Sequence, residues 1–92
     1  MKDKKILDYL EDIGIRPDLS GFKYSYAMIE ESQKTFGKDE IIRIWTLYDI
    51  VAKRFGTSIS KVERAIRHAR QLAGIEQRNG HFIAQAVLEV GK

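Results

Sequence analysis

An all-α fold, a compact five-helix domain built around a helix-turn-helix, is predicted by three observations. Apolar residues recur at spacings of three and four along nearly the whole chain, which is the period of one helix face. Glycines fall where those stripes stop. No segment alternates apolar and polar residues cleanly enough to read as a strand.

The elements follow in order. Ile6, Leu7, Leu10 and Ile13 form the first stripe, ended by Gly14. "IRPDLSG" is a connection, because Pro17, the only proline, and Gly21 interrupt the period. Phe22, Tyr26 and Ile29, flanked by Tyr24 and Met28, give a second helix over about 21–34 that stops near Gly37. Asp39 is the expected N-cap of the third, its carboxylate accepting unpaired backbone N–H groups. Ile41, Trp45, Tyr48, Ala52 and Phe55 follow along that helix, and Ile44, Leu47 and Val51 widen its apolar arc. Trp45, Tyr48 and Phe55 are read as core rather than as stacking platforms. Gly56 stands where a left-handed residue ends a helix. The fourth helix, about 59–73, is capped by Ser58 or by Ser60, and Ser60 would make a capping box with Glu63. Its buried face is Val62, Ala65, Ile66, Ala69, Leu72 and Ala73, and Gly74 ends it. "IEQRNG" reads as a loop rather than a hairpin. "HFIAQAVLEVG" is a short last helix with Phe82, Ile83, Ala86, Val87 and Val90 inward.

Length and composition bound the rest. The 92 residues, 1–92, allow one domain, with no repeat, linker or low-complexity stretch. No apolar run approaches the length of a membrane span, and no signal-peptide core is present. There is no cysteine, so disulfides, thiolate metal sites and thiol catalysis are excluded, and a reducing cytoplasm is the expected location. His68 and His81 have no acidic or cysteine neighbours at ligand spacing, so neither a metal nor another cofactor is expected. No carboxylate pair, Ser/His/Asp set or glycine-rich phosphate cradle suggests an enzyme.

Charge is unevenly spread. Residues 1–40 carry seven basic and nine acidic groups, whereas residues 41–92 carry nine basic and four acidic. Lys53, Arg54, Lys61, Arg64, Arg67 and Arg70 stand against Glu63 alone between 53 and 70. Like charges on one helix repel, and a concentrated cationic patch points to a polyanionic partner. The patch coincides with a turn. In "DIVAKRFGTSISKVERAI" Ala52, Gly56 and Val62 have the spacing of the general bacterial helix-turn-helix. Ala52 lets the helices approach, Gly56 accepts a positive φ and Val62 plugs the corner. Ser58, Ser60, Lys61, Glu63, Arg64, Arg67, His68 and Gln71 are then left facing outward, the set a recognition helix offers to a major groove. Arginine pairs with guanine and glutamate accepts from cytosine. Lys53, Arg54, Lys61 and Arg70, with Lys23 or Lys34, are the expected phosphate contacts.

The sequence resembles the C-terminal effector domain of the stage 0 sporulation protein A family. The resemblance lies in "VERAIRHA" (62–69), in the "LY…AK.F.T..S" frame (47–60), in "GF.Y" followed by "AMI" (21–29) and in "FIA" (82–84). It implies an all-helical domain that binds a short double-stranded DNA box, often as tandem copies, to activate or repress transcription. By matching position it implies Glu63, Arg64 and Arg67 as base readers, with Ser58, Ser60, Lys61 and His68 at or near the DNA. Two departures stand out: Asp49 replaces a proline of the family, and only "GIEQRN" occupies a place where the family carries a longer segment with a further helix. A stand-alone relative without a receiver domain is the expectation from "MKDKKILDYLEDIG". Further expected partners are a second copy as dimer or tandem neighbour, RNA polymerase or a related regulator; no membrane is expected. The alternative is a protein-interaction module, an adaptor or antagonist that binds a full-length sporulation regulator or another protein.

Overall fold

The computed structural model describes residues 3–35 and 43–91. They form five helices: α1 (Lys4–Asp12), α2 (Ser20–Thr35), α3 (Ile44–Phe55), α4 (Ile59–Leu72) and α5 (Asn79–Val90). No strand occurs among the described residues, as the apolar spacing predicts. The expected helix stop at Gly37, the N-cap at Asp39 and the first apolar contact of the third helix, Ile41, lie outside the described residues.

Helix α2 is the hub and touches each of the other four helices. It is apolar around much of its circumference: Phe22, Tyr26, Met28 and Ile29 are all buried. α1 lies against α2 and α5. Asp3 caps α1, its carboxylate accepting from the backbone N–H groups of Lys5 at 3.0 Å and Ile6 at 3.4 Å. The Asp3 backbone N–H donates to the Tyr26 hydroxyl at 2.8 Å, which ties the start of α1 to the middle of α2.

Helices α2 and α4 approach closely at Gly21, in the first turn of α2. A Cβ built there would stand 2.2 Å from the Ala65 carbonyl oxygen and 2.6 Å from the Ala69 Cβ, both on α4. Only a residue without a side chain fits against that backbone. "GF.Y" therefore begins with a glycine for packing, beyond the role of a helix breaker.

Two core expectations are corrected. Trp45 is 66% exposed and Leu72 is 54% exposed. On α4 the buried stripe runs through Val62, Ile66, Ala69 and the half-buried Ala73. At about 100° per residue, Leu72 falls roughly 90° from the centre of that stripe. α5 covers the opposite edge, which holds Arg70. Trp45 is likewise at the margin of the α3 stripe, in the first turn, where Tyr48 is its aromatic neighbour. The last helix begins at Asn79, two residues before the expected start, so no hairpin forms at Asn79-Gly80.

Gly21→Ala is expected to destabilise the fold by about 1–3 kcal/mol through overpacking, although alanine ordinarily favours a helix interior by about 1 kcal/mol over glycine. Urea unfolding followed by circular dichroism measures the difference; a stabilised variant would contradict the close approach.

Candidate nucleic-acid interface

The corner between α3 and α4 is built by local backbone chemistry. Gly56 takes φ 64° and ψ 38°, the left-handed conformation. Its N–H donates to the Lys53 carbonyl at 3.3 Å, and the Thr57 N–H donates to the Ala52 carbonyl at 2.9 Å. This pair of bonds is the Schellman arrangement that closes a helix C-terminus. Ser58 then opens α4 as N-cap, its hydroxyl accepting from the Lys61 N–H at 3.2 Å. Ser60 lies inside the helix, so the capping box with Glu63 is not formed and the glutamate carboxylate is left for other use. Ala52 and Val62 are both buried at the inside of the corner.

On the outer side, Lys61, Arg64, Arg67, His68 and Gln71 are exposed. Lys61, Arg64, His68 and Gln71 follow one another at spacings of three, four and three and make a single polar stripe, with Arg67 beside it. Arg64 makes no ion pair or hydrogen bond among the described residues. Arg67 meets Glu63 one turn away, with Nη1 at 3.3 Å from a carboxylate oxygen. That pair sits at the surface and contributes only about 0.3–0.5 kcal/mol. A bidentate contact to a base edge is worth about 1–3 kcal/mol of discrimination, so the pair orients Arg67 without sequestering it. Ser58 and Ser60 are exposed at the start of the helix.

The expected phosphate contacts divide. Lys53 is largely exposed, and its ammonium pairs with Asp49 at 3.0 Å one turn earlier. Asp49 thus holds a lysine of this face by an easily exchanged surface bridge. Lys23 and Lys34 are exposed on α2; the Lys23 ammonium lies 5.3 Å and 5.4 Å from the ring centres of Tyr24 and Phe55. Arg54 is engaged by two carboxylates of α2, with Nη1 at 2.6 Å from Glu30 and 3.3 Å from Glu31. Donation to the Glu30 carboxylate raises the Arg54 pKa above its ordinary value. One cation facing two anions is not set aside for a phosphate, and this expectation is corrected.

Arg70 is the clearer correction. It is only 7% exposed. Nε donates to the Asn79 side-chain oxygen at 2.9 Å, and Nη1 donates to the Ile75 carbonyl at 2.9 Å. The Asn79 amide nitrogen donates in turn to the Tyr48 hydroxyl at 3.0 Å and to the Glu63 carbonyl at 3.1 Å. Burial pushes the Tyr48 phenol above its ordinary pKa, keeping it neutral as an acceptor. The cation of Arg70 is solvated by neutral acceptors and by its place in the last turn of α4, where the helix dipole favours positive charge. Its burial has a topological reason: α5 begins over that edge of α4.

Asn79 was not legible as a site residue. In "EQRNG" it has the signature of a loop, and nothing local distinguishes a buried asparagine from an exposed one.

Trp45 of α3 and Ile59, Ser60, Glu63, Arg64 and Arg67 of α4 enclose an open groove of about 280 Å³. The fold and this cationic edge define a helix-turn-helix domain. The family model described as "Sporulation initiation factor Spo0A C terminal" matches residues 6–89. The chain belongs to that family, which is one of DNA-binding effector domains rather than of enzymes. No helix among the described residues is long and apolar enough to cross a membrane.

Asn79→Ala is expected to cost about 1–3 kcal/mol, because it leaves the Tyr48 hydroxyl and Arg70 Nε buried without their partner. Thermal unfolding reads it. Asn79→Asp, which keeps the acceptor for Arg70 but loses the donors to Tyr48 and Glu63, should fall between wild type and Asn79→Ala.

Proposed function

We propose that this single domain is a sequence-specific, double-stranded-DNA-binding transcriptional regulator whose α4 enters the major groove. The observation that carries the reading is the exposed stripe on α4, directly after the turn, with Arg64 free of intramolecular partners among the described residues. Arg64 and Arg67 read guanines through O6 and N7, and Glu63 accepts from cytosine N4. Glu63 would be repelled by phosphates alone; on a base-reading face it selects. Ser58, Ser60 and His68 lie at the DNA, and Lys53 and Lys61 neutralise phosphates. The N-cap residue of α3, Arg43, is exposed and joins them, since the first helix of such a pair crosses the backbone.

One module of this size buries roughly 600–1,000 Å² on DNA, so dimers or adjacent copies on repeated boxes supply the remaining affinity. The site of action is the cytoplasmic nucleoid. The reaction is binding alone, without catalysis or cofactor. Contact with RNA polymerase or a related regulator would convert binding into activation or repression.

Selection from a random duplex pool should yield a defined box, and fluorescence anisotropy should show tighter binding to it than to a scrambled duplex. Equal affinity for both would exclude base readout. The three phosphates neutralised by Lys53, Lys61 and Arg43 give a slope of log K against log salt of about −2.7. Lys53→Ala should weaken all duplexes alike and reduce that slope by about 0.9, whereas Arg70→Ala should leave the slope unchanged because its charge faces the interior. Arg64→Ala should instead cost about 1–3 kcal/mol on the selected box and relax specificity at one position.

A further inference from the structure

The exposed ring of Trp45 is unusual for a residue on a core helix. An indole left in water forgoes the burial that its large apolar surface would otherwise bring. The ring is nevertheless held in place. Its centre lies 5.2 Å from that of Tyr48, at 76°, an edge-to-face contact. The Tyr48 hydroxyl is bonded to Asn79, which also holds the Glu63 carbonyl. Trp45 is therefore carried on the same rigid unit as the first turns of α4. It forms one wall of the groove whose other wall bears Ser60, Glu63, Arg64 and Arg67. A positioned aromatic beside a row of cations suits a ligand with an apolar surface and a negative charge in alternation. A deoxyribose-phosphate strand has both.

We propose that Trp45 is a further DNA-contacting residue: its indole packs on a deoxyribose at the edge of the major groove, with Nε1–H donating to the adjacent phosphate. This rests on the duplex-binding reading above and adds a contact that carries no charge. A second copy of the chain is a poorer occupant. Symmetric pairing at this groove would bring Arg64 and Arg67 of both copies together, and like charges at close range repel. A sugar contact also fixes what kind of energy Trp45 supplies. It raises affinity for every duplex sequence and leaves the counterion term untouched, because salt dependence follows the number of phosphates neutralised by cations.

Trp45 is the only tryptophan of the chain, so the native protein reports on the site without a label. Three measurements on the full chain test the proposal: iodide quenching of tryptophan emission with and without the selected duplex, anisotropy binding of wild type, Trp45→Ala and Trp45→Phe to selected and scrambled duplexes, and thermal unfolding of each variant. The expected result is strong quenching in the free protein and protection on adding either duplex. Trp45→Ala should weaken both duplexes by roughly three- to ten-fold with an unchanged salt slope and a folded-state melt, and Trp45→Phe should recover part of the loss. Duplex binding with undiminished iodide access, or equal affinity of Trp45→Ala, overturns the inference while leaving the regulator reading intact. A loss confined to the selected box overturns the sugar assignment in favour of base contact. Protection that grows with protein concentration in the absence of DNA assigns the groove to self-association. No binding of either duplex by the wild type overturns both readings together.

Discussion

The Asn79 side-chain amide joins three parts of the molecule that have no covalent reason to stay in register. It accepts from Arg70 near the end of α4, donates to Tyr48 on α3 and donates to the Glu63 carbonyl in the second turn of α4. The bonds to Arg70 and Tyr48 are made away from water, where an unmade hydrogen bond costs about 1–3 kcal/mol. A rotation of α4 relative to α3 would break either the bond to Tyr48 or the two bonds to α4. The angle at which the recognition stripe stands is therefore tied to the integrity of a small polar cluster beneath it. Polar networks of this kind are an unforgiving device: fully satisfied they specify one geometry, and half satisfied they destabilise it.

Gly21 constrains the same helix from the opposite side. There the α2 backbone lies so near the Ala65 carbonyl that no side chain can intervene. Asn79 and Gly21 together clamp α4 between α2, α3 and α5. Its outer face can then be given wholly to charged and polar residues, because none of them is needed for the fold. This explains how the helix tolerates Lys61, Arg64, Arg67 and His68 in close succession. Their mutual repulsion costs a few tenths of a kcal/mol per pair in an isolated helix, a small quantity beside the burial of Val62, Ile66 and Ala69 on the other side.

The cations of the 53–70 region, equivalent in the sequence, serve different ends. Arg64 faces solvent, Arg67 leans on Glu63, Arg54 is held by Glu30 and Glu31, and Arg70 is interior. A count of formal charge therefore overstates the cationic strength available to a polyanion. Two of the arginines act as ties between helices: Arg54, at the surface, joins α3 to α2, and the buried Arg70 joins α4 to the loop and to α5.

By itself the sequence determined the helical class, the extent of α4 to within a residue, and the corner at Gly56. These depend on local physics: a period of 3.6, a left-handed glycine and a serine cap act within a few residues of themselves. The identity of the outer stripe on α4 was legible for the same reason, since fixing Val62 and Ile66 inward fixes Arg64 and His68 outward. Tertiary structure alone decided the fates of Trp45, Leu72, Arg54 and Arg70. Each lies at the margin of an apolar stripe or on a helix flank, where periodicity leaves burial open. What settles it is which neighbouring helix covers that flank, and partners such as Asn79, Glu30 and Glu31 lie 9 to 24 residues away along the chain. Local spacing carries no information about contacts at that range.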